Sequence, residues 1–139
     1  MSDPYNLQRF LDAQEGVFAQ VCDELAAGRK RTHWMWFIFP QLKGLGSSPT
    51  AQLYGISGRD EVEAYLKHPV LGKRLRHCTQ LLLEVQGRSI DEIVGDPDNL
   101  KFRSSMTLFA QLTKDDEVFV AALEKFYDGK ADPLTLERL

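Results

Sequence analysis

Residues 28–48, reading GRKRTHWMWFIFPQLKGLGSS, bring together three kinds of group that could hold a ligand. Arg29, Lys30 and Arg31 supply cations, with His33 close behind. Trp34 and Trp36 open a nearly unbroken aromatic run that ends at Phe39-Pro40. Gly44-Leu45-Gly46-Ser47-Ser48 is a loop whose backbone N–H groups and hydroxyls could meet phosphate oxygens. Cations, ring faces and such a loop are the parts of a site for a phosphorylated, ring-bearing ligand. The same residues also describe a core element with a solvated basic edge. Cations favour the C-terminal end of a helix, large aromatics bury well, and glycines serve turns. Spacing does not choose which tryptophan would form a pocket wall.

A second candidate segment runs from Gly95 to Thr107. Lys101, Arg103, Ser104, Ser105 and Thr107 are polar residues on a stretch that is otherwise apolar further on. Serine and threonine compete with the backbone for hydrogen bonds, so Ser-Ser-x-Thr is a poor helix interior. Such local conflict is found at functional sites and at close helix contacts alike. Asp96 and Asp98 read first as helix caps, and Asp98 second as a general-base candidate.

Several chemistries find no support. GLGSS lacks the GK[ST] of a P-loop. His33, His68 and His77 form no metal-ligand pattern with each other or with Cys22 and Cys78, so neither metal nor cofactor is expected. There is no G-x-S-x-G elbow.

These segments must be carried by helices. Leu7, Phe10, Leu11, Gln14, Val17, Phe18, Val21, Cys22 and Leu25 trace one face of a single first helix ended by Gly28. The run 34–39 is ambiguous, rich in strand-forming aromatics yet short; a buried helix of one or two turns, with Thr32 as its cap and Pro40 as its stop, is the preferred reading. Residues 50–57 read as loop or short extended chain. Helices are expected over 59–67, then from Pro69 to a stop at Gly87. Ser89-Ile90-Asp91-Glu92 matches a capping box for a short helix ended by Gly95. Asp96 or Asp98 opens the next helix, Asp115 another that closes at Gly129, and Asp132-Pro133 a short last one. The fold class is all-α, a multihelical single domain over residues 1–139 with short Gly/Pro-rich connections.

Composition agrees with a soluble globular domain of 139 residues and net charge −3. Charge is uneven: no Asp or Glu lies between Glu24 and Asp60, where Arg29, Lys30, Arg31, Lys43 and Arg59 fall. A locally positive surface on an acidic protein suggests a specific anionic ligand. Two isolated cysteines, no secretory signal and no transmembrane run point to the cytoplasm, away from membranes. The sequence carries no sign of an oligomeric state.

GRKRTHWMWFIFPQLKGLGSS, with Tyr54-Gly55-Ile56, Ala64-Tyr65-Leu66, His68-Pro69-Val70-Leu71-Gly72 and residues 101–109, KFRSSMTLF, resembles a known bacterial family. It is the family called domain of unknown function 1810, sometimes mislabelled calpastatin, and the likeness runs from Arg9 to Leu136. It implies a small, mainly helical domain and brings no catalytic residue. A fainter likeness joins Leu71, Leu75, Leu82, Gly87, residues 90–93, Gly95 and Asp98 to helical N-glycosidases of NAD and ADP-ribose metabolism. It carries over no catalytic position residue by residue.

The expectation is a protein that binds or processes a phosphorylated nucleoside-like molecule of nucleotide or ADP-ribose type. Arg29, Arg31, Gly46, Ser47 and Ser48 would hold phosphate while Trp34 or Trp36 stacks a ring. Lys101, Arg103, Ser104 and Ser105 would close the pocket. In a glycosidase, Asp98 could stabilise an oxocarbenium-like transition state. The alternative is a non-enzymatic domain whose segment 29–31 contacts nucleic acid or an acidic protein.

Overall fold

A computed structural model describes residues 3–114 and 117–139. In chain order the helices are α1 (Gln8–Gln14), α2 (Phe18–Ala26), α3 (Met35–Ile38), α4 (Pro49–Leu53) and α5 (Arg59–Lys67). There follow α6 (Leu71–Glu84), α7 (Ile90–Val94), α8 (Asp98–Ala110), α9 (Val118–Tyr127) and α10 (Pro133–Arg138). The fold is all-α; among the described residues the sole extended pairing is an isolated parallel bridge between Leu42 and Ile56.

The apolar stripe over 7–25 is real, but its helix is broken. Gly16 takes φ +78°, a left-handed conformation open to glycine, and α2 restarts at Phe18. The stripe stays in phase across the break because Leu7, Phe10, Val21 and Leu25 all reach one core. Residues 50–57, expected as loop, hold α4: Ser48 Oγ accepts the Ala51 N–H and Pro49 fills the first turn. The capping box at Ser89 and Glu92 forms with both reciprocal bonds, and Asp132 caps α10. Neither Asp96 nor Asp98 caps α8, whose N-cap is Pro97, since Asp98 already lies inside the helix and is drawn into ion pairs. Asp115, expected as a cap, lies outside the described residues.

Helix α8 is the central element, packed against α9, α10, α7, α3 and α5. Phe102 and every residue from Ser104 to Phe109 are buried. Two trains of rings meet on it. Phe10, Tyr65, Phe109 and Phe119 run along one side, with centroids 5.1, 5.4 and 5.7 Å apart. Phe39 meets Phe102 edge-on at 4.8 Å on the other. Offset and edge contacts of this kind are the favourable aromatic geometries.

Side-chain clasps tie distant parts of the chain to this core. The Arg9 guanidinium donates to the carbonyls of Leu53 (2.7 Å) and Gly55 (3.1 Å) and pairs with buried Glu61 at 2.8 Å. Gln14 donates to the Phe37 carbonyl and accepts from Arg74.

Among the glycines of the described residues, the one with least room for a side chain lies where α6 starts. A Cβ on Gly72 would stand 2.3 Å from the Leu66 carbonyl oxygen. Gly72→Ala is therefore expected to destabilise by about 2 kcal/mol, its gain in helix propensity notwithstanding. A thermal melt followed by circular dichroism should show Tm lower by about 6 °C. An unchanged Tm would mean that α5 and α6 separate freely.

Candidate functional site

The 29–34 segment is organised by a residue that sequence spacing gave no reason to single out. Glu24, 6% exposed on α2, accepts the backbone N–H of Arg31 (2.6 Å) and of Thr32 (3.0 Å). It also accepts the Thr32 hydroxyl (2.7 Å), the Trp34 indole N–H (2.9 Å) and the Gln20 amide (3.1 Å). Burial alone would push its carboxyl up. The donors from Arg31, Thr32 and Trp34 outweigh burial and hold the pKa at about 2, below the ordinary 4.5. Thr32 therefore serves Glu24 rather than capping α3.

This hub sorts the aromatic run. Trp34, Met35, Ile38 and Phe39 are core, at 2% exposure or less. Trp36 and Phe37 are half-buried. Trp36 faces a cavity of about 420 Å³ lined also by Gln41, Gly46, Lys101, Ser104 and Asp132, with Leu100 and Leu134 at its rim. A Cβ on Gly46 would come within 2.9 Å of the Ala51 Cβ and 3.4 Å of the Trp36 ring, so glycine keeps that wall closed-packed.

Three polar features mark the cavity. The Lys101 ammonium stands 4.2 Å from the Trp36 ring centroid, a cation–π contact, and 3.5 Å from Asp98. Asp98 is paired more closely with Lys30, at 2.8 Å, and Lys30 is 9% exposed. Gln41 is 7% exposed and its Nε2 has no hydrogen-bond partner among the described residues. A buried donor left unpaired costs on the order of 1–3 kcal/mol, which a bound acceptor would recover. Backbone bonds fix its position: Ile56 N–H donates to the Gln41 carbonyl and Lys43 N–H to that of Ile56.

The polar run on α8 divides between cavity and scaffold. Ser104 Oγ lies 2.9 Å from Asp132 Oδ2, and Thr107 Oγ1 accepts the Asp132 N–H at 2.8 Å. Together they dock the start of α10. Arg103 donates to the carbonyls of Lys130 and Ala131, at 2.9 Å each, while still lining the cavity. Ser105 is buried, its hydroxyl has no partner among the described residues, and it is not on the cavity wall.

The other candidates lie elsewhere. Arg29, Arg31 and His33 are exposed and do not line the cavity. Ser47 is exposed, its carbonyl accepting from Gln52, and Ser48 caps α4. Among the described residues no group of three or more His, Cys, Asp or Glu is placed to hold a metal ion. Cys22 and Cys78 are free, and burial pushes both thiols up, which makes them poor nucleophiles. A second cleft of about 430 Å³ lies beside Arg9 and Glu61, where those two charges already neutralise each other.

Fold and site thus define a class: an all-helical protein whose central helix forms one wall of a small cavity with one tryptophan, one ammonium and one orphaned amide. The chain belongs to the family described as protein of unknown function (DUF1810), whose model matches residues 4–139. It is also similar to a conserved hypothetical protein from Mycobacterium tuberculosis known from a crystal structure. The two chains are 58% identical over 99% of this chain and 98% of the other, with a TM-score of 0.97. No curated protein matches the chain. No helix among the described residues is long and apolar enough to cross a membrane.

Proposed function

We propose that this protein binds a small phosphorylated, ring-bearing metabolite of nucleotide or ADP-ribose type in the Trp36–Lys101 cavity. The observation that carries the reading is the unpaired Nε2 of buried Gln41 beside that cavity. It asks for an acceptor oxygen that none of the described residues supplies. Lys101 offers positive charge to a phosphate, and Trp36 a ring surface. Asp98, joined to Lys30 and Lys101, is the candidate carboxylate for any reaction on the bound molecule. The reading includes a cytoplasmic setting, in which Cys22 and Cys78 stay reduced.

Calorimetric titration with adenosine nucleotides and ADP-ribose tests it. Saturable binding is expected, and Lys101→Ala or Gln41→Ala should each weaken it about tenfold or more with the helical signal intact. Absence of binding to every probe, or wild-type affinity in both variants, overturns the reading.

One observation favours a second reading. Arg29 and Arg31 are exposed and make no ion pair among the described residues, whereas Lys30 between them is held by Asp98. Two free cations on one segment suit a non-enzymatic contact with nucleic acid or an acidic protein. In that case polynucleotide binding should fall steeply with salt, and each arginine-to-alanine change should reduce the logarithmic salt slope by about one.

A further inference from the structure

The cavity carries a negative group as well as a positive one. Asp132 lies on its wall, and every hydrogen bond to the carboxylate falls on Oδ2: Thr135 Oγ1 at 2.6 Å, Ser104 Oγ at 2.9 Å and Thr135 N–H at 3.3 Å. Among the described residues, Oδ1 receives no bond and the carboxylate has no cation partner. The side chain is thereby locked in one orientation from one side and left with acceptor capacity on the other.

Position relates this oxygen to the ammonium. Lys101 and Ser104 are three residues apart on α8, so their Cβ atoms are neighbours at about 5–6 Å. Ser104 in turn touches Asp132. Lys101, Ser104 and Asp132 therefore form a row along the cavity, positive at one end and negative at the other, with the unpaired Gln41 amide on the same wall set. A bare anion would gain from Lys101 and lose against Asp132. A molecule with phosphate at one end and hydroxyl donors at the other would gain at both. An acidic side chain recognises ribose in dinucleotide-binding folds by accepting a hydroxyl O–H, and the free Oδ1 has two lone pairs, enough for two neighbouring hydroxyls.

We propose that the Asp132 carboxylate, held by Ser104 and Thr135, binds the vicinal hydroxyls of a sugar phosphate whose phosphate is held by Lys101. This rests on the proposed ligand-binding role of the cavity and narrows its ligand to intact ribose rather than any aromatic anion. Asp132 is then a specificity-determining residue, and α10, which it caps, becomes part of the sugar subsite. Leu134, on α10 at the rim, supplies an apolar surface beside it.

The test is a matched titration of the wild-type protein with the four ribonucleoside 5′-monophosphates and their 2′,3′-dideoxy counterparts. At least one ribonucleotide is expected to bind ten times or more tightly than its dideoxy form. In Asp132→Asn the discrimination should collapse to about twofold or less; asparagine is itself a good N-cap, so α10 should stay docked. Equal affinity for the two sugars in the wild type overturns this inference while leaving the cavity reading intact, provided Lys101→Ala weakens both. No binding by either series overturns this inference, and the cavity reading falls with it only if ADP-ribose also fails to bind. Should Asp132→Asn fail to fold, the wild-type comparison alone still decides the sugar assignment.

Discussion

Glu24→Ala is expected to lower stability by about 4 kcal/mol, the penalty of breaking a buried charged hydrogen-bond network. The truncation leaves two backbone N–H groups, a hydroxyl and an indole N–H without their acceptor. Urea unfolding should show a much lower midpoint with little change in slope. Glu24→Gln isolates the charge. The carboxyl is held at about 2 in the folded protein against an ordinary 4.5, so its contribution is present above pH 4.5 and is lost as pH falls toward 2. That contribution is on the order of 3 kcal/mol. In Glu24→Gln the loss of stability across this acid window should flatten. A variant whose acid profile overlays the wild type would show that some other carboxylate governs it.

The second large effect is expected from Arg9→Ala, about 3 kcal/mol by the same physics of a broken buried pair. Glu61, 3% exposed, would keep its Ser57 donors but lose its cation, and the Leu53 and Gly55 carbonyls would lose their donor. A double-mutant cycle with Glu61→Gln should give a coupling of about 1 kcal/mol or more. Simple additivity would mean that the two side chains act independently. The damage should reach the cavity, because the loop that Arg9 grips contains Ile56, whose N–H fixes the Gln41 carbonyl. The ligand affinity proposed for the cavity is thus tied to stability in Arg9→Ala through the backbone at Gln41.

The helices were legible because their signals are local. α5 falls on the expected 59–67, and the capping box at Ser89 and the Asp132-Pro133 start of α10 appear as read. The break at Gly16 was hidden because the helices on either side bury the same face, so periodicity continues through it. α4 had its signals in Ser48 and Pro49, but a serine after a glycine loop suits a phosphate as well as a cap.

The cavity was half legible. Trp36, Gly46, Lys101, Arg103 and Ser104 come together across two segments distant in sequence. Arg29-Lys30-Arg31 looks uniform in sequence, yet among the described residues only its middle member is half-buried and paired with an acid, a distinction made by α8. Glu24 and Gln41 were missed for a common reason. A single Glu on an amphipathic helix and a Gln after a proline carry no local mark of burial; both acquire meaning from groups supplied by other elements. Ser104 and Thr107, a conflict in helix propensity, are resolved by Asp132.

The clasps have a consequence for how quickly this protein reaches its native state. Arg9 grips Gly55 and Glu61 across 46 and 52 residues, and Gln14 holds Arg74 across 60. Helices themselves form in well under a millisecond, but these bonds reward the chain only after loops of such length have closed. Folding speed follows the mean sequence separation of native contacts more than helix content. The last steps of refolding should therefore lag behind helix formation, with the helical signal returning ahead of the tryptophan environment that Glu24 and Trp34 define.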